Sequence, residues 1–217
     1  MSAAIVQSLE IVTLLGASEA VKADLHESLS MSGLLVAADG GADMALAMGL
    51  MPDAVIGDLD SIKGLDRINA DHLHRVTEQD STDFQKCLRH ISAPLILALG
   101  FTGGRLDHEL AVYNALVLHA DQPVIVIGSE DICFHTPPML NISLPPGCRV
   151  SLFPLAELSC ASTGLRWATD HLTLSPTGRV GTSNQATGAV SLRPSRAGLL
   201  TILPRSQLRA AMDALTG

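Results

Sequence analysis

The chain has 217 residues, 47% of them hydrophobic and 3% aromatic, with a formal net charge of −8. That length and apolar content exclude a disordered chain and allow one large domain or two small ones. The acidic balance and the scarcity of aromatics exclude an extended basic footprint for nucleic acid and a stacking platform for single strands.

No apolar run approaches the ~20 residues needed to span a bilayer. The first residues lack a basic start and Glu10 interrupts the apolar stretch, so no signal peptide is expected. Cys87, Cys133, Cys148 and Cys160 form no C-x-x-C pair, as expected of reduced thiols in a cytoplasmic protein without membrane or nucleic-acid partners.

Residues 11–15 read as a buried strand ending at Gly16. Residues 18–30 carry apolar side chains at Ala20, Val21, Ala23, Leu25 and Leu29, an amphipathic helix. A second strand, 34–38, stops at Asp39-Gly40-Gly41, and a helix over 42–48 ends at Gly49. Residues 54–56 are a third strand, 95–99 a fourth and 124–127 a fifth, with a helix at 106–118. Strands alternating with helices predict an α/β domain with a parallel sheet to about residue 128. Beyond it, Pro, Gly, Thr and Ser punctuate short runs at 149–153, 172–174, 189–192 and 199–203, an antiparallel β domain, sandwich or open barrel. A helix over 206–215, with Ser206 as N-cap, closes the chain.

The chemistry concentrates in loops after predicted strands, where open α/β sheets bind ligands. Asp58 and Asp60, one residue apart, can face one ligand only with a cation between them. A hard divalent ion, Mg2+ or Mn2+, fits such oxygens. Asp80, Asp83 and Lys86, spaced by three, stack on one face if a helix starts near Thr82. A helix start also favours anions, so carboxylates and lysine together predict a metal–phosphate site. The bland alternative is that Asp80 or Thr82 caps the helix, Asp83 favours its dipole, and Lys86 only pairs with Asp83. In the loop after the fourth strand, Gly103-Gly104 admits close backbone approach, Arg105 can neutralise phosphate, and Asp107 and His108 begin the helix. No G-x-x-x-x-G-K-[ST] loop occurs. His72 and His74 read as solvated on an acidic helix, and Met44, Met48 and Met51 as core or seam residues.

Four segments in order, Asp39-Gly40-Gly41-Ala42, Gly57-Asp58-Leu59-Asp60-Ser61, residues 79–88 (Q-D-S-T-D-F-Q-K-C-L) and residues 103–108 (G-G-R-L-D-H), resemble thiamine pyrophosphokinases. Asn114, residues 164–167 (G-L-R-W) and Ser183-Asn184 extend that resemblance over nearly the whole chain. It implies an α/β domain over 1–130 that binds ATP and Mg2+, then a β-sandwich over 131–217 for thiamine and homodimerisation. The implied reaction transfers diphosphate from ATP to the thiamine hydroxyl, leaving AMP. By the same resemblance, Asp58, Asp60, Asp80 and Asp83 hold Mg2+. Asp39, Gly40, Gly41, Thr82, Gly103, Gly104, Arg105, Asp107 and His108 lie along ATP. Trp167, Ser183 and Asn184 face thiamine across the dimer interface, with Gln79 from the other subunit. Asp58, Asp60, Asp83, Lys86 and Arg105 carry catalysis. Leu59, Ala168 and Gln185 depart from the family pattern and bear on the thiamine contacts. The competing readings are a pyrophosphokinase for a pterin-like alcohol, a non-catalytic nucleotide or thiamine sensor, and a metal-dependent nucleotide hydrolase.

Overall fold

The computed structural model describes residues 4–18 and 22–217. Two compact units divide the chain, Met1–Ala115 and Leu116–Gly217. In the first, the elements are β1 (Val6–Gln7), β2 (Val12–Leu15), α1 (Lys22–Leu29), β3 (Leu34–Ala38), α2 (Gly41–Ala47), β4 (Ala54–Gly57), β5 (Leu73–Arg75), α3 (Asp83–His90), β6 (Ile91–Ser92), β7 (Ile96–Leu99) and α4 (Leu106–Leu118).

Five strands form a parallel sheet in the order β7-β2-β3-β4-β5, and β1 pairs separately with β6. Every residue of β2, β4 and β7 is buried. Strands covered on both faces have no polar alternation, which is why they read as continuous apolar runs. The one hydroxyl in β2, Thr13, is satisfied at 2.7 Å by Ser28 and Ser32. The chain adds β3, β4 and β5 along one edge of β2, then returns to β7 on its other edge. Such a reversal opens a crevice at the carboxyl ends of the strands. There the Gly16 N–H donates to Leu99 O at 2.8 Å and Ser18 N–H to Gly100 O at 2.9 Å.

Several expectations hold closely. The 34–38 and 106–118 elements are matched residue for residue, and Gly49 takes the left-handed conformation, φ 80°, after α2. Helix α3 starts after Thr82, whose hydroxyl accepts from Gln85 N–H while Gln85 reaches back to the Thr82 N–H, a capping box. In the 18–30 helix, Ala20 and Val21 lie outside the described residues, and Lys22–Leu29 is helical.

Others are corrected. Asp80 precedes the cap of α3 and does not share a helical face with Asp83 and Lys86. His72 and His74 are not on a helix surface; they lie in a 3-10 turn and in β5, and His72 Nδ1 pairs with Pro52 O at 2.9 Å. A three-residue edge strand presents too little periodicity to be distinguished from a helix. Met51 is exposed, and Met44 and Met48 are only half-buried, so none is a core residue.

The second unit contains β8 (Val124–Ile127), β9 (Asp131–His135), β10 (Leu140–Ile142), β11 (Arg149–Pro154), β12 (Leu158–Leu165), β13 (Thr173–Leu174), β14 (Thr182–Pro194), β15 (Leu199–Pro204) and α5 (Leu208–Thr216). Its strands run antiparallel in the order β8-β9-β15-β11-β14-β12-β13, with β10 also on β14. The thirteen-residue β14 serves β11 with Thr182–Gln185 and then β10 and β12 with its second half. Its Asn184, Ala186, Val190 and Leu192 are buried, the alternation of a sheet with one covered face. Helix α5 buries Leu208, Ala211 and Met212 and packs on β10. A 3-10 turn at Arg205–Gln207 precedes it, so Ser206 is not its N-cap.

All four cysteines are free, and Cys87, Cys133 and Cys160 are buried. Burial pushes the Cys133 thiol up to about 12, as for an inert core thiol. The architecture is thus α/β, with strands of mixed sense.

Candidate active site

The carboxyl ends of the parallel strands open onto a cleft of about 690 Å³. Its walls come from the loops after β2 (Gly16, Ala17, Ser18), β3 (Asp39, Gly40), β4 (Asp58, Ser61) and β7 (Gly100, Phe101), from residues 79–86, and from Arg105, His108 and Val112. These segments are far apart in sequence. Parallel pairing brings them to one edge.

Strand register does the next step. Ala38 is paired with Ile56, so Asp39 and Gly57 follow as neighbours. A Cβ on Gly57 would lie 2.7 Å from the Asp39 Cβ, so only glycine lets the two loops approach this closely. Asp39, at φ 42°, is buried, and its carboxylate accepts from Leu59 N–H at 3.0 Å and from the Ser61 hydroxyl. Leu59 also has positive φ, 63°, and packs its side chain on a core of Ala37, Ala42, Leu46, Val55, Ile62 and Ile68. The leucine anchors the loop to that core between Asp58 and Asp60. Ligand oxygens of Asp39, Asp58 and Asp60 come within 4.8 Å of one another. Their loop is held from behind by Asp43 of α2, whose carboxylate accepts from Lys63 N–H and Gly64 N–H, each at 2.9 Å.

The electrostatics show a cluster short of positive charge. Hydrogen bonding to Asp58, and repulsion from it, raise the Asp60 carboxyl above its ordinary range. Burial pulls Asp58 the same way but is outweighed, mainly by the Asp60 N–H and by Gln79, and it ends below. Gln79 Nε2 donates to Asp58 Oδ2 at 3.4 Å. Lys86, only 3% exposed, donates to Asp83 Oδ1 at 3.0 Å and sits 4.0 Å from Asp58 Oδ2. Burial works against the ammonium, yet Asp83 and Asp58 keep it more basic than usual. Asp83 is asymmetric with its partner: burial raises its carboxyl despite the lysine, helped by repulsion from Asp39 and Asp58. The Lys86 pair is therefore not the solvated surface bridge of the bland reading. The three carboxylates form a hard-oxygen donor set suited to a divalent cation, and the buried ammonium beside them offers a fixed positive charge to an anion.

The structure brings together most of the expected residues and separates some. Asp39, expected along a nucleotide, belongs with Asp58 and Asp60. Asp83 joins them through Lys86, while Asp80 lines the cleft outside that trio. Gly40 and Thr82 line the cleft, whereas Gly41 is buried. Gly103 N–H donates to Glu109 Oε2 at 3.0 Å, and Gly104 is exposed. Arg105 forks onto Asp107 at 3.2 and 2.6 Å, which holds the Asp107 carboxyl below its ordinary range. His108 stands on the cleft wall. The sequence reading missed Ser61, Asp43 and the Phe101 ring, which meets Phe84 at 4.7 Å. It also missed Glu78, which accepts from the Ser81 hydroxyl and Arg89 and takes Asp80 N–H at 2.9 Å. Ser61, Asp43 and Phe101 are defined by partners about twenty residues away, whereas Glu78 bonds to near neighbours.

Residues 25–127 match the family model described as "Thiamin pyrophosphokinase, catalytic domain". The chain is 28% identical over 187 residues to thiamine pyrophosphokinase 1 of Oryza sativa subsp. japonica, covering 70% of this chain and 71% of that one. It is also 28% identical over 182 residues to thiamin pyrophosphokinase 1 of Caenorhabditis elegans, covering 76% and 74%. The fold resembles thiamin pyrophosphokinase from Candida albicans, with a TM-score of 0.73, 20% identity and coverage of 89% and 90%. That from Geobacillus thermodenitrificans superposes with a TM-score of 0.72 at 21% identity, covering 92% and 99%. The family model, the relatives and the solved structures all point to thiamine pyrophosphokinases, the model over slightly less than half of this chain.

The family match stops at residue 127, so the second unit must be read from its own residues. Trp167 is 53% exposed and is not a core aromatic. Buried Asn184 clamps its backbone, accepting from Trp167 N–H at 3.2 Å and donating to Trp167 O at 2.7 Å. Ser183 is exposed beside it on β14. Gln185, one of the departures from the family pattern, accepts from Arg166 Nη1 at 3.0 Å. Ala168, another departure, is exposed.

Proposed function

We propose that this protein transfers diphosphate from ATP to thiamine, giving thiamine diphosphate and AMP. One observation carries the proposal: the carboxylates of Asp39, Asp58 and Asp83 and the buried Lys86 converge on a cleft at the carboxyl end of a parallel sheet, with Asp60 close to the first two. That is the arrangement polyphosphate chemistry needs.

In this reading the thiamine hydroxyl oxygen bonds to the β-phosphorus as the bond from that phosphorus to the oxygen retained by AMP breaks. Asp58 and Asp60, joined by Asp39 and with Asp80 and Asp83 beside them, would hold Mg2+, which would supply neutralisation of charge on the diphosphate. Lys86 adds a fixed ammonium whose orientation is set by Asp83 and Asp58. Arg105, 70% exposed, exchanges Asp107 for phosphate oxygens as nucleotide enters. Gly40, Thr82, Gly103, Gly104 and His108 line the nucleotide's path. The hydroxyl proton passes to Asp83 or Asp60. Transfer of this kind rests on positioning, so no Ser-His or Cys-His nucleophile is required.

The finer assignments form part of the same proposal. Residues 1–130 bind ATP and Mg2+, and residues 131–217 form a β-sandwich that binds thiamine and dimerises. Trp167, Ser183 and Asn184 of one subunit serve thiamine together with Gln79 of the other. The exposed, backbone-clamped Trp167 supports that role, and the buried free thiols support a cytoplasmic setting.

The test is incubation with ATP, Mg2+ and thiamine beside an Asp83→Asn variant, with products separated by chromatography. Stoichiometric AMP and thiamine diphosphate, lost in the variant, are expected. AMP alone would mean a hydrolase or another acceptor alcohol. Nucleotide binding without turnover would mean a sensor.

A further inference from the structure

Within the second unit, the guanidinium carbon of Arg166 lies 4.8 Å from the centroid of the Trp167 ring. Its Nη1 donates to Gln185 Oε1 at 3.0 Å, and its backbone N–H donates to Gln185 O at 2.8 Å. Asn184 holds the tryptophan backbone on both sides. The Trp167 backbone is thus fixed by Asn184 and the Arg166 side chain by Gln185, and the π surface of the ring is shared with a tethered positive charge. A stacked guanidinium uses the negative face of the ring that any other cation would seek. A second cation there must displace it or bind a ring already polarised against it.

We infer that Arg166, tethered by Gln185, is a specificity-determining residue that sets the charge preference of the Trp167 surface, disfavouring cationic rings relative to neutral ones. The inference rests on the proposed role of Trp167 in meeting thiamine. It goes beyond that role in assigning a selective function to the arginine. A thiazolium brought to the exposed indole meets a ring already polarised by Arg166 and the charge of the guanidinium itself. The neutral aminopyrimidine half of the molecule pays much less, since it has no charge to be repelled. Arg166 thus acts against substrate affinity, not on the transferring phosphoryl groups.

The chain has a single tryptophan, so its fluorescence reports on Trp167 alone. Full-length wild type, Arg166→Ala and Gln185→Ala are titrated with thiamine and, separately, with the free aminopyrimidine half. Arg166 is exposed, so its removal leaves folding intact. Loss of one exposed cation–π contact predicts that Arg166→Ala binds thiamine roughly threefold to tenfold tighter. Gln185→Ala falls between that variant and wild type, and the neutral half binds all three alike. In turnover, KM for thiamine falls in Arg166→Ala while kcat is unchanged. Weaker or equal thiamine binding by Arg166→Ala would overturn the inference, as would an equal gain for the neutral half. A wild type that binds thiamine at Trp167 but makes no thiamine diphosphate would sink the proposed reaction and leave this inference standing. Turnover with no fluorescence response in any variant would do the reverse.

Discussion

Replacing Lys86 with methionine tests the buried charge balance directly. The methionine keeps most of the apolar stem and volume while removing the ammonium. Lys86 is 3% exposed and hydrogen-bonds Asp83 at 3.0 Å. A hydrogen bond to a charged group is worth about 1.5–3 kcal/mol, and breaking a fully buried pair costs about 3–5 kcal/mol. Asp83 is 39% exposed, so water screens part of the loss. The expected cost is therefore about 2 kcal/mol near neutral pH, or a fall in Tm of roughly 4–8 °C for a chain of this size. Asp83→Asn added to Lys86→Met removes the stranded carboxylate and should recover more than half of that loss. Urea unfolding followed by far-UV circular dichroism measures all four members of the cycle. If Lys86→Met unfolds within about 0.5 kcal/mol of wild type, or the two changes are simply additive, the pair is not the coupled element described here.

Asp58→Asn removes one of three converging carboxylates and should weaken Mn2+ binding by at least about tenfold in calorimetry, the scale expected when a charged ligand becomes neutral. Unchanged affinity would place the cation elsewhere. Thr82→Ala removes the α3 capping box and should cost about 1 kcal/mol, read as a Tm lower by roughly 2–4 °C. His135 is held below the ordinary histidine range by burial, and its Nε2 accepts from Gly198 N–H at 3.2 Å, a bond only the neutral ring can make. The unfolded chain therefore takes up the proton first. The stability contributed by His135 is complete above about pH 6.5 and is lost as pH falls toward the depressed native value. His135→Gln keeps an acceptor, so it should lose less stability than wild type between about pH 7.5 and 5.5; equal losses would remove His135 from the account.

Much of this protein can be read from local pattern. Runs such as Leu34–Ala38 and Val124–Ile127 are apolar throughout because both faces of a covered strand exclude water. Thr82 and Gln85 announce the start of α3 because capping is a contact between near neighbours. Asp58, Asp60, Asp83, Lys86 and Arg105 stand out as chemistry-bearing residue types placed just after strands or at a helix start.

Tertiary structure decided what those residues do to one another. The edge strand Leu73–Arg75 and the two-residue pairing of β1 with β6 are too short to carry a period, so only their partners define them. The burial of Lys86 is invisible in sequence, where a lysine three residues from an aspartate reads as a solvated pair. Asp39 lies nineteen residues before Asp58, and nothing in that interval says they meet. The parallel register that sets Ala38 beside Ile56 brings them together, and Gly57 leaves room for the approach. Residue type and local spacing thus determined which groups could carry charge and where helices and strands begin. Long-range strand pairing decided which charges share one space, because repulsion, burial and cation binding depend on distance in space and not along the chain.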